Sequence, residues 1–453
     1  MRCLLRQFLP PLFLADHWPI PVLTYPETLD YLFDLRRFGV KLGLETITNL
    51  LQRLDHPQHK YATLHIGGTN GKGSSAAMVA AMLQAGGYRV GLYTSPHLID
   101  FRERIRVQDG DISEAHVCEL TARIRHVADP LGSLTFFEFT TAMAFQYFLD
   151  QQVDIAVIEV GLGGRYDATN VLDPLGVLVT SIGFDHEIYL GQTLPEIARE
   201  KAGIIHPDVP VVLGEMPDSV NQVFKEIAQK YNAPLYRYGQ DFSISETSQT
   251  DFTYRGFQER FSGLQTNLLG RHQMRNAGCA LALLESATVE RFPLSVDAIK
   301  SGLQHVRWKG RLEIVQHDPM VILDGAHNPL GARVLFDFLQ SQLHDCPGRK
   351  IIVVLGMMND KPHAEYVQVL WPLIDTLIVT QPHMNRAATV DELRHAVPRE
   401  DVKICAIADP WEAYCQAHQD ARPSDLICVT GSLFLVGEVL QHLTRPLSPM
   451  SKN

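Results

Sequence analysis

The chain has 453 residues, enough for two or three domains that each bury a core. Its hydrophobic share of 45% and charged share of 20% are ordinary for a globular protein, and its net charge of −11 argues against a general binder of nucleic acid or anionic membranes. The seven cysteines are scattered and form no C-x-x-C pair, which favours free thiols in a reducing cytoplasm over disulfides or a zinc site. No apolar run predicts a transmembrane helix.

The first residues of the chain raise the question of a signal peptide. Arg6, Pro10-Pro11 and Asp16 interrupt their apolar character, and no A-x-A-like cleavage site follows. We therefore predict that residues 1–24 are a loosely packed or poorly ordered N-terminal extension. Helical spacing then runs from Tyr25 to Leu54, with a glycine-flanked break that divides it into two helices.

The stretch from residue 61 to residue 85 joins an apolar run, a glycine-rich loop and a helix. Tyr61–Ile66 predicts a buried parallel strand, and Ser74–Ala85 is rich in good helix formers. Such a loop aims backbone N–H groups and a helix N-terminus at one point, which suits a phosphate, and Lys72 adds a full charge. The match to G-x-x-x-x-G-K-[ST] is imperfect, because Ile66 replaces the first glycine and Gly73 the final Ser or Thr. The predicted phosphate-binding residues are Gly68, Thr69, Asn70, Gly71, Lys72, Gly73 and Ser74; the alternative is a glycine turn without a ligand.

Three more buried strands carry a polar residue at or just after their ends. They are Arg89–Tyr93, followed by Ser95; Asp154–Val160, which contains Glu159; and Gly176–Ile182, followed by His186. Parallel strands of a doubly wound sheet bind ligands at their carboxyl ends. An unpaired buried carboxylate is costly, so Glu159 suits a hard cation held against phosphate oxygens. Taken alone, Ser95 also fits a helix cap, and His186 an ordinary surface or core residue.

Two segments near these strands have competing interpretations. Gly161–Gly164 reads GLGG, as in some dinucleotide loops, but the G-x-G-x-x-G spacing is not met and no suitable helix begins there. Leu134–Glu138 reads LTFFE and leads into an apolar helix, Phe139–Leu149. Its aromatic residues either face the core or form flat walls, with one carboxylate, for a heterocyclic ligand.

Around Val306 the character of the sequence changes. Residues 306–311 form a short polar connection, after which strands and helices alternate afresh. The predicted strands of this second part are Val321–Leu323, Lys350–Leu355, Thr376–Thr380, Val402–Ile407 and Leu426–Thr430. We predict an α/β protein: a P-loop-type domain (25–305) with a mostly parallel sheet, a linker (306–311) and a smaller Rossmann-like domain (312–453) whose tail, Pro446–Asn453, is disordered.

Seven motifs follow one another along the chain: GTNGKGS, TSPH, TFFE, EVGLGGR, DH, EKAG and DGAHNP. Together they resemble the Mur ligase superfamily of ATP-dependent amide ligases, and most the branch that contains folylpolyglutamate synthase and dihydrofolate synthase. The resemblance covers about residues 25–440 and leaves the N-terminal extension unexplained.

The resemblance implies metal-binding roles for four residues. Ser95, Glu159 and His186 correspond to magnesium ligands. Lys201, by composition an ordinary solvated helix lysine, corresponds to a lysine carbamylated on its amine, which makes it an oxygen ligand for a second magnesium. The catalytic residues predicted from this resemblance are Lys72, His186, Lys201 and His327.

The resemblance also implies contacts with the nucleotide and the pterin. Asn276, Arg311 and Asp324 correspond to residues on the nucleotide's other side, and DGAHNP to a segment by which the second domain closes on ATP. Asn276 fits a helix N-cap as well, and both roles are compatible. The predicted substrate-binding residues are Thr135, Phe136, Phe137, Glu138 and Asp167.

The function implied is a bifunctional ligase that adds L-glutamate to dihydropteroate and to reduced folates through an acyl phosphate. It would use ATP and two Mg²⁺ ions, act on small molecules without nucleic acid or membrane, and be a cytoplasmic monomer. One alternative is a sister ligase acting on a nucleotide sugar, against which LTFFE and the lack of a separate UDP-binding domain argue. The other is a regulatory protein that hydrolyses ATP without a ligation partner.

Overall fold

The computed structural model describes residues 22–39, 41, 43–128, 134–248, 250–398 and 402–444. The predictions for the N-terminal extension, apart from its last three residues, and for the C-terminal tail lie outside these ranges. No helix in the described ranges is long and apolar enough to cross a membrane. The monomeric state and the cytoplasmic location stay predictions.

Eight strands form the first sheet, in the order β4-β3-β2-β5-β1-β6-β7-β8. They are β1 (Ala62–Gly67), β2 (Val90–Tyr93), β3 (Ile105–Val107), β4 (Gly110–Asp111), β5 (Ile155–Glu159), β6 (Gly176–Val179), β7 (Val211–Leu213) and β8 (Leu235–Arg237). Six run parallel, while β3 and β4 form an antiparallel edge. The predicted mostly parallel sheet is confirmed; the short edge strands β3, β4 and β8 were not predicted.

Helices cover both faces of this sheet. They are α1 (Tyr25–Asp34), α2 (Glu45–Arg53), α3 (Lys72–Ala85), α4 (Glu114–Ala128), α5 (Phe136–Asp150), α6 (Glu187–Leu190), α7 (Leu194–Lys201), α8 (Asp218–Lys230), α9 (Arg271–Ala287) and α10 (Val296–His305), with 3-10 turns at Leu35–Phe38, Pro57–His59, Phe101–Arg104 and Ala202–Ile204. One core surrounds α3, α9 and α10, and another lies where α5 packs against α1, α2 and α4. The sheet is therefore buried on both sides, as a parallel sheet requires.

A small antiparallel sheet rests against α9. Its strands are β9 (Ser243–Glu246), β10 (Asp251–Arg255) and β11 (Arg260–Gln265). Phe252 and Tyr254 of β10 are fully buried in the same core as α9, whereas the other face of the sheet is polar.

The second domain contains a six-stranded sheet in the order β12-β13-β17-β14-β15-β16. The strands are β12 (Glu313–His317), β13 (Met320–Asp324), β14 (Ile351–Leu355), β15 (Thr376–Val379), β16 (Lys403–Ala406) and β17 (Leu426–Thr430). The helices are α11 (Pro329–Asp345), α12 (His363–Leu370), α13 (Val390–His395), α14 (Pro410–Asp420) and α15 (Leu433–Thr444), with a 3-10 turn at Trp371–Leu373. All strands are parallel except β12, an edge strand that was not predicted. The two α/β units confirm the predicted fold class, while the domain boundaries stay a prediction.

Two helix starts differ from the predictions. Helix α9 begins at Arg271, after Gly270 with φ +98°, so Asn276 lies more than one turn inside the helix and its prediction as an N-cap is wrong. Helix α5 begins at Phe136 rather than Phe139, because Thr135 and Glu138 form a capping box that satisfies the first backbone donors.

Candidate functional site

The polar residues of the first sheet meet at one edge because of the strand register. Ile66 of β1 pairs with Glu159 of β5, and Tyr93 of β2 pairs with Ile158. Ser95, two residues beyond Tyr93, therefore reaches Glu159, and its backbone N–H donates to Glu159 Oε2 at 3.1 Å. The sheet thus places a hydroxyl-bearing residue and a carboxylate side by side next to the glycine-rich loop.

One cavity brings together residues from both domains. Its walls include Lys72, Ser95, Glu159, His186, Lys201, Asn276, Arg311, Asp324 and His327. The loop from Thr69 to Ser74 lines the same cavity. All of the predicted catalytic and metal-binding residues, and all of the predicted nucleotide-binding residues except Gly68, therefore border one space.

The glycine-rich loop is held in a conformation that only glycine adopts easily. Gly68 has φ +134° and Gly71 has φ +87°, both in the region disfavoured for other residues. Thr69 N–H donates to the Ser181 carbonyl at 2.7 Å, which fixes the loop to the end of β6. Lys72 Nζ donates to the carbonyls of Gly68 and Thr69 at 3.1 and 3.0 Å. The lysine is thus held within the loop, where phosphate oxygens would replace these carbonyls as its partners.

Gly68→Ala is expected to destabilise the protein strongly. An added Cβ would overlap Thr180 Oγ1 and lie 3.0 Å from the Thr180 backbone nitrogen, in addition to the strain of φ +134°. We expect the free energy of unfolding to fall by roughly 3 kcal/mol or more. The matched control is Gly87→Ala, at φ +87° with open space around its Cβ, for which backbone strain alone costs about 1 kcal/mol. Urea denaturation of both variants measures the difference, and equal losses would contradict the steric account.

Lys201 is an amine buried beneath the same loop. Lys201 is only 5% exposed, and its Nζ donates to the Gly68 carbonyl at 3.0 Å. Burial, reinforced by the nearby charge of Lys72, lowers the pKa of the Lys201 amine to about 7. A substantial neutral fraction at physiological pH follows, and the neutral amine is the form that reacts with carbon dioxide.

Glu159 provides a buried carboxylate with several cations around it. Burial raises its pKa, while Lys72, the Ser95 N–H group, Arg311 and Arg104 act in the opposite direction. Within the described ranges, no three His, Cys, Asp or Glu side chains gather closely enough to hold a metal ion by themselves. Mg²⁺ in nucleotide sites is commonly held by one or two protein oxygens together with phosphates and water. The donor set of Glu159 and Ser95 fits that kind of site and not an all-protein cage.

Asp185 links the first domain to the second. Lys361 Nζ lies 2.6 Å from Asp185 Oδ1, and the two side chains are 8% and 9% exposed. His327 Nε2 and Asn328 Nδ2 approach Asp185 Oδ2 to 3.4 Å. Burial alone would raise the pKa of Asp185, but the hydrogen bond and charge of His327, with the charges of His186 and Lys361, outweigh burial and hold that pKa well below its usual range. Asp185 and Lys361 were not predicted as site residues, although Asp185 lies in the DH motif.

A second link between the domains is formed by two asparagines. Asn70 of the glycine-rich loop donates to Asn328 Oδ1 at 3.0 Å, and Asn328 donates back to Asn70 Oδ1 at 3.0 Å. Asn328 also caps α11, since its Oδ1 accepts the Gly331 N–H at 2.8 Å. The N-terminus of α11 is therefore fixed next to the glycine-rich loop.

The wall of the cavity that the second domain supplies is organised by Asp324. Its carboxylate accepts the backbone N–H of Leu312 at 2.9 Å and that of Ala326 at 3.0 Å. It thereby fixes the two segments that carry Arg311 and His327. Arg311 has no carboxylate within 4.0 Å among the described residues, so its charge faces the cavity without an ion-pair partner. On the opposite wall, Asn276 donates to Gln273 Oε1 at 3.0 Å. Asn276 lies against the glycine-rich loop, since a Cβ added at Gly71 would be only 2.8 Å from Asn276 Oδ1.

The five predicted substrate-binding residues lie behind the Gly161–Gly164 loop and do not line this cavity. The Phe137 ring packs directly against Gly161, and Asp167 accepts the Leu162 N–H at 2.7 Å. Glu138 Oε2 accepts both the N–H and the hydroxyl of Thr135 at 2.8 Å, so this carboxylate caps its own helix. Their roles toward a substrate stay predictions.

Comparison with known proteins identifies relatives along nearly the whole chain. Residues 66–284 match the family described as "Mur ligase middle domain", and residues 310–433 match "Mur ligase, glutamate ligase domain". The dihydrofolate synthase/folylpolyglutamate synthase of Bacillus subtilis is 33% identical over 92% of this chain and 99% of its own length. The protein of the same name from Escherichia coli is 34% identical over 91% of this chain and 94% of its own length.

Solved structures with the same fold include ligand complexes. A bifunctional folylpolyglutamate synthase/dihydrofolate synthase from Yersinia pestis, complexed with AMPPNP and Mn ion, has a TM-score of 0.85 and 34% identity, covering 94% of this chain and 100% of that one. E. coli FolC in complex with DHPP and ADP has a TM-score of 0.86 and 32% identity, covering 94% and 99%. Another bifunctional enzyme, with Mn, AMPPNP and L-glutamate bound, has a TM-score of 0.84 and 34% identity, covering 94% and 100%.

Proposed function

Because the chain belongs to the folylpolyglutamate synthase/dihydrofolate synthase family of Mur ligases, we propose that it joins L-glutamate to dihydropteroate and to reduced folates at the expense of ATP. The observation that carries the proposal is the single cavity between the domains, where the Lys72 loop, Glu159 and the Asp324–His327 segment meet. The AMPPNP, DHPP and L-glutamate found in related structures support the same set of small-molecule reactants.

The chemistry follows from the requirements of amide synthesis. A carboxylate does not react with an amine at neutral pH, so it needs activation. ATP transfers its γ-phosphoryl group to the carboxylate of dihydropteroate, or to a glutamyl carboxylate of a folate, giving an acyl phosphate and ADP. The amino group of glutamate attacks the acyl carbon, and the tetrahedral intermediate expels phosphate as the amide forms. Catalysis of such steps depends mainly on positioning and on neutralising charge.

Each side of the cavity has a part in this reaction. Lys72 and the loop N–H groups hold the phosphates, while Asn276, Arg311 and Asp324 fix the nucleotide from the other side. His327 Nδ1 donates to the Gly325 carbonyl at 2.9 Å, since a carbonyl only accepts. His327 Nε2 is directed toward Asp185, which orients the ring at the border of the cavity.

Two Mg²⁺ ions complete the proposed site. Ser95 and Glu159 would hold one, and His186 with a carbamylated Lys201 would hold the other. When bound, the ions offset the repulsion between the anionic phosphate and the anionic carboxylate. The burial of Lys201 and the low pKa of its amine support carbamylation, since the neutral amine takes up carbon dioxide and releases a proton to become an anionic carbamate.

We also propose that the domains, 25–305 and 312–453, close about residues 306–311 before chemistry. The Asp185–Lys361 pair and the Asn70–Asn328 pair supply contacts for the closed form. Closure excludes water from an acyl phosphate that water would otherwise hydrolyse.

ADP release measured under three conditions tests the function. We expect little ADP with ATP alone and strong stimulation when glutamate is added together with either dihydropteroate or tetrahydrofolate. A chain that hydrolyses ATP equally under all three conditions would be the regulatory protein. Stimulation by a nucleotide-sugar substrate and an amino acid, with no response to pterins, would instead identify the sister ligase.

A further inference from the structure

A group of arginines surrounds the ring of Phe136, next to the proposed active site. The guanidinium carbon of Arg36 lies 5.0 Å from the centroid of this ring, and that of Arg104 lies 5.2 Å from it. Arg36 also stacks on Phe33 at 4.2 Å, and the two phenylalanine rings are 6.0 Å apart. The rings thus hold both guanidinium groups in fixed orientations.

These two arginines differ from their neighbours in lacking a carboxylate partner. Arg37 lies 3.0 Å from Asp34, and Arg102 lies 2.7 Å from Asp100. In the described ranges, no carboxylate lies within 4.0 Å of Arg36 or Arg104. Two of the four arginines in these adjacent turns are therefore paired, and the two that stack on Phe136 are not.

Burial makes the missing partner of Arg104 costly. The residue is 5% exposed, and its Nε donates to His97 Nδ1 at 2.8 Å. Because His97 Nδ1 accepts this hydrogen bond, it carries no proton, and the imidazole supplies no negative charge to offset the guanidinium. The nearby Glu103 is occupied by the backbone N–H groups of Leu98, Ile99 and Asp100. A buried cation with no carboxylate in direct contact is expensive, and an anionic ligand that contacts it would lower that cost.

The charge of a third arginine, Arg386 of the second domain, also acts on this pair. Burial lowers the pKa of Arg36, and the charge of Arg386 lowers it further, so the charge of Arg386 acts on this guanidinium group. Arg104 in turn lies close enough to Glu159 to interact with its charge. Arg36 and Arg104 therefore lie together at the Phe136 ring, where the charge of Arg386 acts on Arg36 and that of Glu159 acts on Arg104.

We propose that Arg36, Arg104 and Arg386 bind the unreactive α-carboxylate of the terminal glutamyl residue of a folate substrate. The inference rests on the proposed function. Dihydropteroate carries one carboxylate, which is the group that reacts. A folate presents a reacting γ-carboxylate and, on the same glutamyl residue, an α-carboxylate that needs a cationic partner. Guanidinium groups bind carboxylates through paired hydrogen bonds, which suits this discrimination between the two substrates.

The test uses Arg36 and Arg386, which are more exposed than Arg104, because Arg104 is buried and its loss could affect folding. Arg36→Gln and Arg386→Gln, singly and combined, are assayed with tetrahydrofolate and with dihydropteroate. We expect the KM for tetrahydrofolate to rise roughly 10-fold or more, as for the loss of a charge-assisted hydrogen bond, with little change in kcat. The KM for dihydropteroate should change less than about 3-fold. Arg37→Gln, in the same turn but paired with Asp34, is the matched control and should leave both KM values unchanged.

A binding measurement separates this inference from the catalytic proposal. Folic acid and pteroic acid differ only by the glutamyl residue, and calorimetry measures their affinities without turnover. The wild-type chain should bind folic acid more tightly, and the double variant should lose that preference while Arg36→Lys retains part of it. Equal losses for both ligands, or an unchanged preference, would overturn the assignment. A wild-type chain that binds the ligands but makes no ADP in response to pterin and glutamate would instead refute the proposed function.

Discussion

Lys72→Ala is expected to abolish glutamate-dependent ADP formation while the fold stays intact. Lys72 Nζ is held within the glycine-rich loop by two carbonyls, and it is the cation of this loop that we propose binds the phosphates. Loss of one preorganised charge of this kind typically lowers kcat by about 100- to 1,000-fold. A coupled assay of ADP release at saturating glutamate and dihydropteroate measures the effect.

The control for Lys72→Ala is Lys60→Ala, which removes an exposed lysine just before the same strand. Lys60 pairs with Asp55 at 3.0 Å on the surface, so its loss should change neither activity nor the melting temperature appreciably. Thermal unfolding of both variants checks that the fold is retained. Normal turnover by Lys72→Ala would refute the assignment of the loop to phosphate binding.

Lys201→Ala is expected to lose most activity and to recover part of it when short carboxylates such as formate or acetate are added. The buried amine lies under the loop, and a carbamate there would present two oxygens to a metal ion that alanine cannot replace. We expect kcat to fall about 100-fold or more, in line with the loss of other electrostatic contributors. An added carboxylate that enters the vacated space restores the missing oxygens.

Lys225→Ala, on the exposed face of α8, provides the control for this experiment. Its activity should equal that of the wild type and should not respond to added carboxylates. Full activity of Lys201→Ala without added carboxylates would remove the carbamate from the account. A low activity that no short carboxylate restores would assign Lys201 a role as an amine instead.

The sequence predicts most of the fold because the buried strands are continuous apolar runs. Ala62–Gly67 and Ile155–Glu159 are buried on both faces, and such runs are recognisable from composition. The strands that were missed lie at sheet edges. Glu313–His317 is half-exposed and begins and ends with polar residues, so its sequence resembles a loop between two elements. Its place in the sheet depends on pairing with the following strand.

The sequence predicts which residues border the cavity but not how the domains are joined there. Ser95, Glu159 and Lys72 each follow a recognisable local pattern. The Asp185–Lys361 pair joins residues 176 positions apart, and the Asn70–Asn328 pair joins residues 258 apart, so no local pattern contains either. The sequence could not predict that Arg104 lacks a carboxylate partner either. Residues 100–105 contain two acidic and two basic residues, and only the structure shows that Arg102 is the one that pairs with Asp100.

Oxygen isotope transfer tests the central claim, that a carboxylate is phosphorylated in the cavity between the domains. Dihydropteroate labelled with oxygen-18 in both carboxylate oxygens is turned over with ATP and glutamate in ordinary water, and the released phosphate is examined by mass spectrometry. An acyl phosphate transfers one labelled oxygen to each phosphate and leaves the other in the amide. Unlabelled phosphate, with its new oxygen taken from water, would contradict the account.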